Sequence, residues 1–230
     1  MFGQWGLPAR IRVDNGVPWG NASDLPPPLA LWWLGLGIGV IWNHAYRPTE
    51  NAKVERAHGT LHRWSEPAGC ADFAAWEQAL DREARVQREE YPSVGGRSRL
   101  AAYPALQARE RSYAVEQEAQ QWALARVTAE LAQGVWPRQV SQRGQISLYG
   151  KAYQVGAPHG GEQVWVRVEA ATGEWVVQSE AGQELARHRA DQLTTDRIRQ
   201  LQVAKPHASS KKPRRRANLP PPPATILYAA

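Results

Sequence analysis

The spacing of apolar residues divides the chain into a helix-rich front part and a strand-rich back part. Residues 8–14 read as a short strand closed by the Asn15-Gly16 turn signal. Pro26, Pro27 and Pro28 suit the first turn of a helix, where the missing N–H of proline costs nothing. That helix runs through 29–34 and stops at glycines, before a β-branched strand over 38–43. After a loop at 46–49, helical spacing over 51–64 predicts a buried side bearing Val54, Ala57 and Leu61. Glu55, His58 and His62 fall on a neighbouring face. Pro67–Gly69 interrupts the chain before an amphipathic helix over 71–91, whose stripe is Phe73, Trp76, Leu80 and Ala84. One further helix, over 115–132, carries Ala119, Trp122, Val127 and Leu131 at similar spacing and reads as the link to a second domain.

From Trp136 the period changes to two. Segments 138–141, 145–149, 152–155, 163–169, 175–179 and 184–188 are short strand candidates, punctuated by turn signals such as Thr172-Gly173 and Ala181-Gly182. Short strands at tight, regular spacing predict a small SH3-like barrel over 136–190. Trp165 and Trp175 flank one of its turns. An aromatic surface for stacking bases is one reading of the pair, and packing in the barrel is the more economical one. Residues 205–230, with a basic run and Pro220–Pro223, have too little apolar content to order themselves, so 191–230 is expected to be a disordered tail. Four regions result: 1–105, a helical linker over 106–135, the barrel, and the tail.

Net charge narrows the partners less than it first suggests. The chain of 230 residues carries a formal +6, but Lys205, Lys211, Lys212, Arg214, Arg215 and Arg216 supply six of its 28 basic residues, and no acid follows residue 204. Without them 22 basic residues face 22 acidic ones. Affinity for phosphate then has to come from local patches and the tail. The single cysteine, Cys70, excludes an intrachain disulfide and a multi-cysteine zinc cage, and fits a reducing compartment. The first residues lack the basic start and apolar stretch of a signal peptide, and the apolar run 29–41 is too short to span a bilayer.

The candidate chemistry is acidic. Asp14 ends the first strand and Glu55 sits on the helix that begins near Glu50 and Asn51, with 40 residues between them. Carboxylates brought together from a strand end and a helix can share divalent cations, which phosphoryl transfer uses. His58 and His62, one turn apart, could hold zinc. The metalloprotease pattern, however, has Glu directly after the first His, and Gly59 stands there.

Two segments, Asp14-Asn-Gly-Val-Pro-Trp-Gly20 and Tyr46-Arg-Pro-Thr-Glu-Asn-Ala-Lys-Val-Glu-Arg-Ala-His-Gly-Thr-Leu61, resemble the bacterial insertion-sequence transposases of the retroviral-integrase superfamily, in particular the IS481-like group. Arg88-Glu-Glu-Tyr-Pro-Ser-Val-Gly-Gly-Arg-Ser-Arg-Leu-Ala-Ala-Tyr103 looks like a degraded form of the segment after that family's core. Gln142-Arg-Gly-Gln-Ile-Ser-Leu-Tyr-Gly-Lys-Ala-Tyr-Gln-Val155 looks like its carboxy-terminal barrel. The resemblance covers nearly the whole chain apart from the tail. It implies a partial RNase H-like integrase catalytic core over 1–105, followed by helices and the barrel, an α/β plus all-β architecture. It implies DDE-type DNA integration and recombination with Mg2+ or Mn2+ on Asp14 and Glu55 as second and third acidic ligands. It also implies DNA contacts from Lys53, Arg56, His58, His62 and the basic run Lys211, Lys212, Arg214, Arg215 and Arg216. The partners implied are DNA and either a second copy or a full-length transposase, with no membrane, in a bacterial cytoplasm near the nucleoid.

Two departures follow. Ala52 stands where the family has glycine, and only thirteen residues precede Asp14, so the family's first catalytic aspartate has no counterpart. Asp24, in a Ser-Asp-Leu-Pro loop, cannot replace it. The expectation is an amino-terminally truncated member that performs no strand transfer alone. The alternative is a non-catalytic DNA-binding or regulatory fragment of a mobile element.

Overall fold

Helices dominate the front and strands the back of the computed structural model, which describes residues 2–16, 19, 24–44, 47–108 and 110–203. In chain order the elements are α1 (Phe2–Trp5), β1 (Arg10–Val13), α2 (Pro28–Gly35), β2 (Gly39–Trp42), α3 (Ala52–Trp64), α4 (Phe73–Glu89), α5 (Arg99–Ala102), α6 (Glu118–Gln121) and α7 (Leu124–Leu131). Then come β3 (Trp136–Gln139), β4 (Gln145–Leu148), β5 (Lys151–Gln154), β6 (Gln163–Glu169), β7 (Glu174–Gln178), β8 (Glu184–Arg189) and α8 (Thr195–Arg199). Contacts separate two compact units, one from 1–15 and 38–119, the other from 16–37 and the chain from 120 onward. The tail expected from 191 is ordered as far as 203, because α8 forms there and buries Leu193, Ile198 and Val203; residues 204–230 lie outside the described residues.

In the first unit β1 and β2 run parallel, in register from Arg10 against Gly39 to Val13 against Trp42. Val13 and Val40 are buried. α3 packs on α4 and α4 on α5. The α3–α4 corner is fixed by polar and aromatic contacts: Trp76 Nε1 donates to Ser65 Oγ at 3.0 Å, and the Trp64 and Tyr91 rings meet edge to face. Asp72 caps α4 by accepting from the Ala75 N–H at 2.8 Å, so the helix begins at Phe73.

Two expected apolar stripes are less covered than their spacing suggests. α3 contains no buried residue, and Val54 is 53% exposed. Ala57 and Leu61 are half-buried and line a cavity of about 280 Å³ against α4. Phe73 is 71% exposed, while the buried positions of α4 are Ala79 and Gln87. The physical reason is layering: a sheet of two four-residue strands is too small to cover α3 and α4 along their whole length, so each stripe has a neighbour over part of it only.

The expected single helix over 115–132 is broken. A 3₁₀ turn at Val115–Gln117 leads into α6, and the chain becomes extended at Ala123 (φ −135°, ψ 124°) before α7. Tertiary hydrogen bonds replace the helical ladder at the break. The Ala123 N–H donates to Gly35 O at 3.0 Å and Trp122 Nε1 donates to Trp32 O at 3.1 Å. A local pattern cannot anticipate donors drawn away by a distant helix.

That distant helix is α2, which packs on α7 and α8 in the second unit. It is apolar all round, and Ala30, Leu31, Trp33, Leu34 and Gly35 are buried, as a helix without a polar face requires. Residues 24–37, grouped by sequence with 1–105, therefore pack with the strand-rich unit. Among the described residues no helix is long and apolar enough to cross a membrane.

Of the six strands that the period-two pattern predicts, five lie within a residue of their expected bounds, and β3 begins two residues earlier than 138–141. β3, β6, β7 and β8 form an antiparallel sheet in the order β3-β6-β7-β8, and β4 with β5 forms a separate hairpin. Alternation on β6 buries Val164, Val166 and Val168. The two-residue loop of the hairpin, Tyr149-Gly150, has φ of 49° and 74°, the geometry of a type I′ turn. A tyrosine with positive φ is strained. Its ring is buried near Trp175 and its hydroxyl donates to Pro26 O at 2.9 Å, which offsets that strain. Burial also raises the Tyr149 pKa, so the hydroxyl stays protonated and remains a donor. Asp24 is held in a two-pronged pair with Arg138, both contacts at 2.8 Å.

Candidate functional site

The carboxyl end of the β1–β2 pair is built by amides. The Asn43 N–H donates to Val13 O at 2.9 Å, continuing the ladder one residue beyond Trp42. Asn15 Nδ2 donates to Asn43 O at 2.8 Å, and Asn43 Nδ2 donates to Asn51 Oδ1 at 2.6 Å. Asn51 occupies the N-cap position of α3 but makes no side-chain cap, because its carboxamide is engaged by Asn43. Its backbone carbonyl accepts from the Glu55 N–H at 3.0 Å. An unbroken set of bonds thus runs from the last residue of β1 to the first turn of α3.

Glu50 reinforces this corner. It accepts from the His44 backbone N–H at 2.9 Å, faces His44 Nδ1 at 2.7 Å, and lies 3.9 Å from Arg12. The hydrogen bond from the His44 N–H, then that from its ring, holds the Glu50 carboxyl below its usual pKa. A depressed carboxyl pKa contributes stability that is present above the unfolded value and is lost as pH falls through the folded one. The His44–Glu50 tie is therefore expected to persist through the ordinary glutamate range and release only below it. An NMR pH titration of the His44 amide checks this, and a midpoint at or above the ordinary value for glutamate refutes it.

Asp14 directly follows β1 and is half-buried; Glu55 is exposed in the first turn of α3. Both stand at the same end of the parallel pair. Lys53, Arg56 and His58 are exposed around Glu55. His62 is also exposed, and its ring meets Trp76 edge to face at 6.4 Å, a packing contact. Lys211, Lys212, Arg214, Arg215 and Arg216 lie outside the described residues. Among the described residues no group of three His, Cys, Asp or Glu comes together to hold a metal ion.

The fit to a hard cation rests on the donor set. Asp14 and Glu55 offer oxygen only, and Mg2+ is commonly held by one or two carboxylates with waters and substrate phosphates completing the shell. Asn43 Oδ1, at the same end of the sheet, is buried without a hydrogen-bond partner, an oxygen still in need of a donor or cation. By type these are the oxygen donors that a hard cation takes. Asn43 and His44 carried no motif in the sequence, and Glu50, though inside the Tyr46–Leu61 segment, had no role assigned to it. The only local signals were an asparagine just after a β-branched strand and an acid just before a helix. Compared with known protein families, the chain matches no family model.

Proposed function

We propose that the chain is a DDE-type transposase or integrase polypeptide acting on DNA in transposition. In this reading the first unit is part of an RNase H-like core, and β3–β8 form an SH3-like barrel. The observation that carries it is the amide-bonded corner from Val13 through Asn43 and Asn51 to the turn bearing Glu55, which supports Asp14 and Glu55 serving one site. Asp14 and Glu55 would hold Mg2+ or Mn2+. When bound, the ion supplies charge stabilisation for phosphoryl transfer. Asn43 and Asn51 orient the two supporting segments, while Lys53, Arg56, His58 and His62 offer donors to phosphate. Cytoplasmic action on DNA, as a homo-oligomer or beside a full-length transposase, belongs to the same proposal.

With two carboxylates in the site, the isolated chain is expected to bind Mn2+ weakly and to catalyse no strand transfer. Asp14→Asn and Glu55→Gln should each weaken Mn2+ binding on the order of tenfold, about 1.4 kcal/mol, measured by water-proton relaxation. Retardation of duplex DNA should survive in both variants and fall steeply with salt. Mn2+ binding unchanged by either substitution would remove the catalytic assignment. The lack of a three-residue metal group among the described residues favours a second reading, a non-catalytic DNA-binding or regulatory fragment. Duplex retardation with no Mn2+ affinity at all selects it, and no retardation at low salt rejects both.

A further inference from the structure

The first unit carries an open cleft of about 760 Å³ that the proposed chemistry does not use. Arg82, Arg85 and Arg88, three residues apart along α4, all line it, with Asp81 as the acidic exception. That spacing places their side chains on one helix face. Trp5 forms another wall, remains 44% exposed, and has the Arg88 guanidinium 4.5 Å from its ring centroid.

The arginines are unequally committed. Arg88 donates to Glu89 at 2.8 Å, and Arg82 lies 3.6 Å from Glu83. The Arg85 side chain is exposed and has no hydrogen bond or ion pair among the described residues. An apolar polypeptide filling this cleft would strip water from that charge without replacing it, which is costly. An anion answers the guanidinium forks with paired hydrogen bonds. The indole, which carries the Arg88 guanidinium over its ring, can also take a flat π surface, and Gln78 and Asp81 can accept or exchange hydrogen bonds with a base edge.

We infer that this cleft binds a nucleotide, free or as one residue of a single strand, with its base against Trp5 and its phosphate on Arg82 and Arg85. The inference is independent of Asp14 and Glu55. The test is fluorescence anisotropy of the whole chain with a short fluorescein-labelled thymidine oligonucleotide at low salt. Saturable binding is expected, weakened on the order of tenfold by Arg85→Glu and by Trp5→Leu, and largely kept in Trp5→Phe. Displacement by dTMP identifies a free nucleotide as the ligand, whereas displacement by oligonucleotides alone identifies a strand. Asp14→Asn and Glu55→Gln should leave this binding unchanged, and Arg85→Glu should leave Mn2+ affinity unchanged, so this idea and the catalytic one fail separately. Because Arg85 is exposed, its substitution should not shift the melting temperature, and it carries the test even if Trp5→Leu unfolds. Absent binding, equal affinity in a folded Arg85→Glu variant, or a dimer that seals the cleft and dissociates on that substitution would each overturn the inference.

Discussion

Replacing Trp175 by alanine should cost the second unit about 3–5 kcal/mol. Trp175 is fully buried on β7, pairs across the sheet with Val168 and His188, and meets the Trp136 ring edge to face at 6.0 Å. Tyr149 closes on it at 6.3 Å, so the indole fills the space between the four-stranded sheet and the β4–β5 hairpin. Its removal forfeits burial of roughly 150–250 Å² and leaves a cavity. Domains are stable by only about 5–15 kcal/mol, so the effect is a large share of the whole. Urea unfolding followed by circular dichroism should show a much lower midpoint. Trp165, half-buried on β6, provides the contrast, and its alanine variant should lose far less. A loss below about 1 kcal/mol for Trp175→Ala would mean that the tryptophan does not support the core.

Gly35→Ala is expected to destabilise the same unit by about 1–3 kcal/mol or more. Alanine in a helix normally gains about 0.5–1 kcal/mol over glycine, so the sign depends on space. A Cβ at Gly35 would lie 2.0 Å from Trp122 Cε2 and Nε1, far inside contact distance. Trp122 cannot swing aside freely, being buried and hydrogen-bonded to Trp32 O. Gly35 O also accepts from the Ala123 N–H and from Arg126, both at 3.0 Å, so any retreat of α2 loosens those bonds. Steric cost wins. The measurement is the urea midpoint of Gly35→Ala beside Gly59→Ala, whose added methyl would meet nothing within 4 Å. A stabilised Gly35→Ala protein would show that α2 does not pack on Trp122 in solution.

These two substitutions probe different kinds of legibility. The burial of Val164, Val166 and Val168 follows directly from alternation along one strand, because a pleated chain sends every second side chain to the same face. The break at Trp122–Ala123 does not follow from any local pattern. The residues on either side suit a helix, and the donors that interrupt it answer to carbonyls on α2, about ninety positions earlier. Exposed Val54 and Phe73 mark the opposite failure: helical spacing identifies an apolar stripe but not whether another element arrives to cover it.

At the candidate site the acidic residues were visible as types at suggestive spacing, and their supports were not. Asp14 and Glu55 were singled out by the resemblance of the two segments that contain them. Asn43, Asn51, His44 and Glu50 gained their roles only when two parallel strands and the start of α3 met at one corner.

By itself the sequence determined the elements: where helical and alternating periods begin, which prolines and glycines interrupt them, and which charges accumulate at one end. Periodicity and turn chemistry are local properties, so they survive without knowledge of the fold. Tertiary structure alone decided that α2 packs with the strand-rich unit, that one long helix yields to two short ones, and that an asparagine poised to cap α3 instead ties it to β2. Each of those outcomes depends on hydrogen-bond partners and packing surfaces distant in sequence, whose competition with local bonding is settled only when the chain has closed on itself.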